Sequence, residues 1–103
     1  MALETTMEVI ALSDLPALSD SKKADGSRFV QIHTVTTDKG FDLIYSWMNG
    51  MVLANYKIEN LTTSDVVPSI TNNFLAAFVF ENEAHDLFGI NIKDIAIDFA
   101  GKF

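Results

Sequence analysis

The sequence predicts a two-layer α+β domain in which an antiparallel meander sheet of about three to five strands is packed with two helices. Three features point to it. Residues 28–59 contain three runs rich in apolar and β-branched side chains, separated by Lys39-Gly40 and Asn49-Gly50, dipeptides suited to tight β-turns. Two stretches with helical signals, residues 14–24 and 72–88, flank these runs and each stops at a glycine, Gly26 and Gly89. The chain of 103 residues has no internal repeat and no low-complexity segment, so residues 1–103 are expected to form one domain.

In chain order, residues 6–11 carry Met7, Val9 and Ile10 and suit an edge strand. Ser13 is a good N-cap for the first helix, whose early Pro16 is tolerated in a first turn. The run over residues 28–38 is rich in Val, Ile, Thr and Phe. In residues 41–48, Phe41, Leu43, Tyr45 and Trp47 alternate with Asp42 and Ser46. In residues 51–59, Val52, Ala54, Tyr56 and Ile58 alternate with Asn55, Lys57 and Glu59, so one sheet face should be covered and the other partly wet. The aromatic stripe Tyr45 and Trp47 is expected in the core. After a polar connection, residues 66–68 form an extended lead-in, because the residue before Pro68 avoids the α region. Thr71 then suits the N-cap of the second helix. Alternation of Ile95, Ile97 and Phe99 with Ala96 and Asp98 suggests a last strand.

Composition narrows the function. With 14 acidic against 7 basic residues and a formal charge of -7, the chain offers no general attraction for phosphate backbones, and nucleic acid is not expected as a partner. The longest apolar run, residues 74–80, falls far short of the roughly 20 needed to span a bilayer. Glu4 and Glu8 stand where a secretory signal would be basic, which points to a cytoplasmic protein. There is no cysteine, hence no disulfide, no thiol nucleophile and no thiolate ligand for zinc or an iron–sulfur cluster.

The second helix departs from the usual pattern. At about 100° per residue, Phe74, Ala77, Phe78, Glu81, His85 and Phe88 share one side, whereas Leu75, Ala76, Val79, Phe80, Glu83 and Leu87 share the other. A helix in a two-layer domain should be apolar along one stripe only, so something must cover the second side. Glu81, Glu83 and Asp86 sit toward the negative end of the helix dipole, where an acid is disfavoured by about 0.3 to 1 kcal/mol. Cations from a partner would compensate, and this marks Glu81, Glu83, Asp86, Leu87, Phe88 and Gly89 as candidate interface residues.

The segment around this helix, VPSITNNFLAAFVFENEAHDLFGI, resembles the signature of the C subunit, or 30 kDa subunit, family of respiratory complex I. Pro68, Ser69 and Thr71 match its lead-in, Ala76 and Ala77 its alanine pair, Glu81 and Glu83 its two glutamates, and residues 86–90 its closing Asp-Leu-Phe-Gly-Ile. Asn82 stands where the family has arginine, and the basic Gly-His-Pro-Asp-Leu-Arg-Arg tail is replaced by NIKDIAIDFAGKF. That ending is similar to the short homologues in membrane-bound energy-converting hydrogenases of the Ech and carbon-monoxide-induced types. The resemblance implies an α+β subunit that carries no cofactor. It would dock in the hydrophilic arm on the [NiFe]-hydrogenase-like large subunit, near the iron–sulfur small subunit, and meet the inner face of the membrane only through the complex.

Other chemistries fit less well. Glu81 and His85, at i and i+4, supply two metal ligands where a site needs more, and His33 belongs to a separate strand. Glu81 and Glu83 point about 200° apart around the helix and cannot flank one scissile bond. No serine-hydrolase motif or glycine-rich phosphate loop is present. No catalytic, metal or cofactor residue is therefore assigned, and the chain is not expected to be catalytic alone. The competing reading is a homodimer or stand-alone binding module that hides the spare apolar side on its own copy.

Overall fold

In the computed structural model, which describes residues 3–93, the elements follow the order β1 (Glu4–Val9), a 3-10 turn (Leu12–Asp14), α1 (Leu15–Ala24), β2 (Arg28–Thr37), β3 (Gly40–Asn49), β4 (Val52–Leu61), β5 (Val66–Pro68), a second 3-10 turn (Leu75–Ala77), α2 (Phe78–Phe88) and β6 (Asn91–Lys93). The expected strand through Ile95, Ile97 and Phe99 lies outside the described residues. No helix of the described residues is long and apolar enough to cross a membrane.

The meander forms as its alternation predicts, β2 pairing with β3 and β3 with β4, both antiparallel. Gly40 turns β2 into β3 at φ 141°, and a Cβ there would collide with the Leu61 carbonyl oxygen. The sheet is nevertheless mixed, because β1 joins its edge parallel to β4 in the order β1-β4-β3-β2. The cause is the helical connection. It returns the chain across the sheet, so β2, and after two antiparallel steps β4, run in the direction of β1. Residues 66–68 are extended as expected, but they pair in parallel with β6 as a separate two-stranded sheet.

One sheet face makes the core. Leu43, Tyr45 and Trp47 are fully buried there with Ile32 and Ile58, beneath Leu15 of α1 and Ala77 and Ala84 of the α2 segment. Rings of Phe29, Tyr56 and Phe74 lie 5.6 to 5.9 Å from Trp47, edge-on. The edge strand β1 is exposed throughout, and Met7 and Val9 remain more than half accessible.

Two helix starts differ from expectation. Ser13 lies inside the first 3-10 turn, and the Asp14 carboxylate instead accepts the Ala11 N–H at 3.1 Å. Thr71 does not cap α2: residues 71–73 form a turn in which the Ile70 carbonyl accepts the N–H groups of Asn73 and Phe74. Phe74 is then extended (φ -135°, ψ 87°), and α2 begins only at Phe78. The hydroxyls of Ser69 and Thr71 are 2.6 Å apart and belong to a different structure, described next. The helix end agrees with expectation: Gly89 is left-handed at φ 72°, and the N–H of Ile90 reaches back to the Ala84 carbonyl in a Schellman closure.

Candidate functional site

The α2 helix separates its acids. Ala77, Glu81, Ala84 and Phe88 recur at the three- and four-residue spacing of one helix stripe and turn toward the sheet. The small alanines let the helix approach closely, and Glu81 between them is fully buried. Its Oε1 accepts the Ser69 hydroxyl at 2.6 Å and its Oε2 the Ile70 N–H at 2.8 Å. Ser69 Oγ also accepts the Thr71 N–H, so the Pro-Ser-x-Thr lead-in is folded around this carboxylate. Burial holds the Glu81 carboxyl above the usual range for a glutamate, while the Ser69 and Ile70 hydrogen bonds pull the other way. Tyr45 is its neighbour from β3, and its phenol is pushed strongly upward by burial and then by the Glu81 charge.

The expectation that Glu81 presents its charge to a partner is therefore corrected. Its carboxylate is the internal tie between α2 and the turn after β5. Asn82, where the resembling family has arginine, is buried too, and its Nδ2 donates to the Phe78 carbonyl at 2.8 Å.

Glu83, Asp86 and Leu87 lie on the opposite side, with Val79 and the preceding Leu75. Leu75, Val79 and Leu87 are 56%, 36% and 71% exposed. Leu75, Val79, Glu83 and Leu87 recur every four residues, the spacing of a packing ridge on a helix. Among the described residues no cation pairs with Glu83 or Asp86. Of the other candidates, Gly89 is exposed and Phe88 is half-buried, its ring 6.0 Å from that of Phe41. The structure thus gathers Glu83, Asp86, Leu87 and Gly89 on one surface and excludes Glu81.

Sequence reasoning missed Leu75 and Val79 as candidate interface residues, although both already stood on the helix's spare apolar side. The metal alternative loses its geometry, since the Glu81 carboxylate is internal while His85 is exposed, its Nδ1 3.0 Å from the Ile90 carbonyl. Groups of three or more potential ligands able to hold a metal ion are absent among the described residues.

Comparison with known proteins gives this geometry a family. The family model described as "Respiratory-chain NADH dehydrogenase, 30 Kd subunit" matches residues 9–96. Among solved structures, the trypsin-resistant fragment of Nqo5 superposes with a TM-score of 0.76 at 16% identity, over 88% of this chain and 80% of that one. A chain of the membrane-bound sulfane sulfur reductase, an archaeal respiratory membrane complex, superposes with a TM-score of 0.73 at 18% identity, over 87% of this chain and 57% of that one. No curated protein matches. At such identities the two structures establish a shared fold, whereas the family model spans nearly the whole chain, meander and α2 together. The chain belongs to the 30 Kd subunit family of respiratory-chain NADH dehydrogenase.

Proposed function

We propose that this chain is a cofactor-free structural subunit in the hydrophilic arm of a membrane-associated energy-converting hydrogenase or NADH:quinone oxidoreductase-like complex. It docks on the hydrogenase-like large subunit, beside the iron–sulfur small subunit, and is peripheral to the membrane. Membership of the 30 Kd subunit family supports a place in a respiratory complex, and the likeness to a chain of an archaeal respiratory membrane complex agrees with it. A chain without cysteine offers no thiolate to a cluster, which suits a scaffold beside cluster-bearing subunits.

The observation that carries the docking reading is the outward ridge along the 3-10 turn and α2: Leu75, Val79 and Leu87 are exposed, Glu83 shares their four-residue register with Asp86 beside it, and neither carboxylate has a cation among the described residues. A partner presenting Arg or Lys among apolar side chains would relieve both. Replacing Glu83 by Gln and Asp86 by Asn, in a tagged chain expressed with its complex, is expected to leave the fold intact. Co-purification of the large subunit should drop about tenfold, the scale of one lost charge-assisted hydrogen bond. Undiminished recovery across a salt titration would remove electrostatics from the docking.

A further inference from the structure

The ridge ends beside a groove of opposite charge. Between the C-terminal end of α1 and the 3-10 turn before α2, a shallow cavity of about 420 Å³ is lined by Lys23, Arg28, Phe29, Phe74, Leu75 and Ala76. Its apolar wall belongs to the aromatic cluster of the core: the Phe29 and Phe74 rings are 6.1 Å apart, and both pack on Trp47. Its cations, Lys23 and Arg28, are exposed and make no ion pair among the described residues. The nearby Asp25 carboxylate accepts the N–H and hydroxyl of Ser27 and makes no ion pair with either cation among the described residues. Leu75 belongs to both features, as a wall of the groove and the first residue of the ridge.

We infer that this groove receives a short segment of the partner subunit in which an apolar side chain is followed by an acidic group, either Asp, Glu or a chain-terminal carboxylate. The inference rests on the docking reading above and extends it by naming what the partner presents at this end. The apolar side chain would cover Phe29, Phe74 and Leu75, and the acid would meet Lys23 and the forked guanidinium of Arg28. In a chain with twice as many acids as bases, an unpaired basic pair beside the half-buried Phe29 and Phe74 and the exposed Leu75 is a local exception, and charge complementarity selects an acidic guest. A polyanion such as nucleic acid would also meet Arg28, but the net charge of -7 repels it.

The consequence is a bipolar interface, cationic at the groove, apolar along Leu75 and Val79, and anionic at Glu83 and Asp86. A partner docked in reverse would set its acids against Glu83 and Asp86 and its bases against Lys23 and Arg28, so polarity fixes the orientation.

The test is site-specific photo-cross-linking in the assembled complex, with p-benzoylphenylalanine in place of Ala76 in the groove or of Leu87 on the ridge. The probe at position 76 is expected to capture a partner-subunit peptide whose cross-linked residue adjoins an Asp, a Glu or a terminal carboxylate. Lys23→Glu with Arg28→Glu should reduce that product about tenfold and spare the product from position 87. Capture of a basic or uncharged peptide, of a second copy of this chain, or of the same product after charge reversal overturns the inference. So does silence at 76 while 87 still cross-links, which leaves the docking reading standing. Silence at both positions overturns the docking reading as well.

Discussion

Replacing Glu81 by alanine is expected to lower the stability of the domain by about 3 kcal/mol. The substitution leaves the buried Ile70 N–H without its acceptor, a cost of about 1 to 3 kcal/mol, and opens a cavity under α2. For a domain of this size each kcal/mol shifts the melting temperature by about 4 to 8 °C, so a fall of roughly 12 to 24 °C should be seen by circular dichroism. Glu81→Gln keeps an acceptor for Ile70 and a polar group toward Ser69, and should retain most of the lost stability.

The same pair separates the charge from the hydrogen bonds. Burial holds the Glu81 carboxyl above its unfolded value, so the folded state favours the protonated form. Its contribution to stability is complete below about pH 4.3, the ordinary glutamate value, and is lost as pH rises through the elevated folded value. Melting curves of the Glu81→Gln chain should lack this component. If Glu81→Ala melts with the wild type, the carboxylate is no anchor.

Val79→Asp combined with Leu87→Lys is expected to abolish assembly while leaving the domain folded. Both side chains are exposed, and surface changes away from special features usually stay within about 0.5 kcal/mol. Each new charge also suits its end of α2, an acid in the first turn and a base in the last. In the complex the same charges would be buried in an apolar contact. Loss of two central anchors at about 2 kcal/mol or more each would weaken association by roughly a thousandfold. Size-exclusion chromatography of the co-expressed complex should show the variant running apart from the large subunit with an unchanged melting temperature. A variant that still co-elutes would place the contact elsewhere, for example on the exposed edge of β1 with Met7 and Val9.

The parts of this fold that were legible in the sequence are those in which one residue period dominates. Phe41, Leu43, Tyr45 and Trp47 alternate cleanly because their strand buries one face, and Gly40 and Gly89 stand where the backbone needs a left-handed turn. The parallel place of β1 was not legible, since its register with β4, Glu4 opposite Val52, is a long-range choice that no local spacing encodes. Thr71 was misread because a hydroxyl before a helical run suits a cap and an internal tie equally well. Ser69 and Thr71 serve the carboxylate instead. The three acids of α2 looked alike by charge and dipole. Their separation was nonetheless latent in the spacing, for Glu81 stands four residues after Ala77 and three before Ala84, on the stripe of small residues that a close-packed helix turns inward.

Carboxyl labelling by a carbodiimide, read residue by residue by mass spectrometry, compares the free chain with the chain in its complex. Glu83 and Asp86 should label readily in the free chain and become protected on assembly, Glu81 should stay unlabelled in both, and Glu4 and Glu8 of the exposed β1 strand should label in both. Glu83 and Asp86 labelling equally with and without the complex would contradict α2 as the docking face.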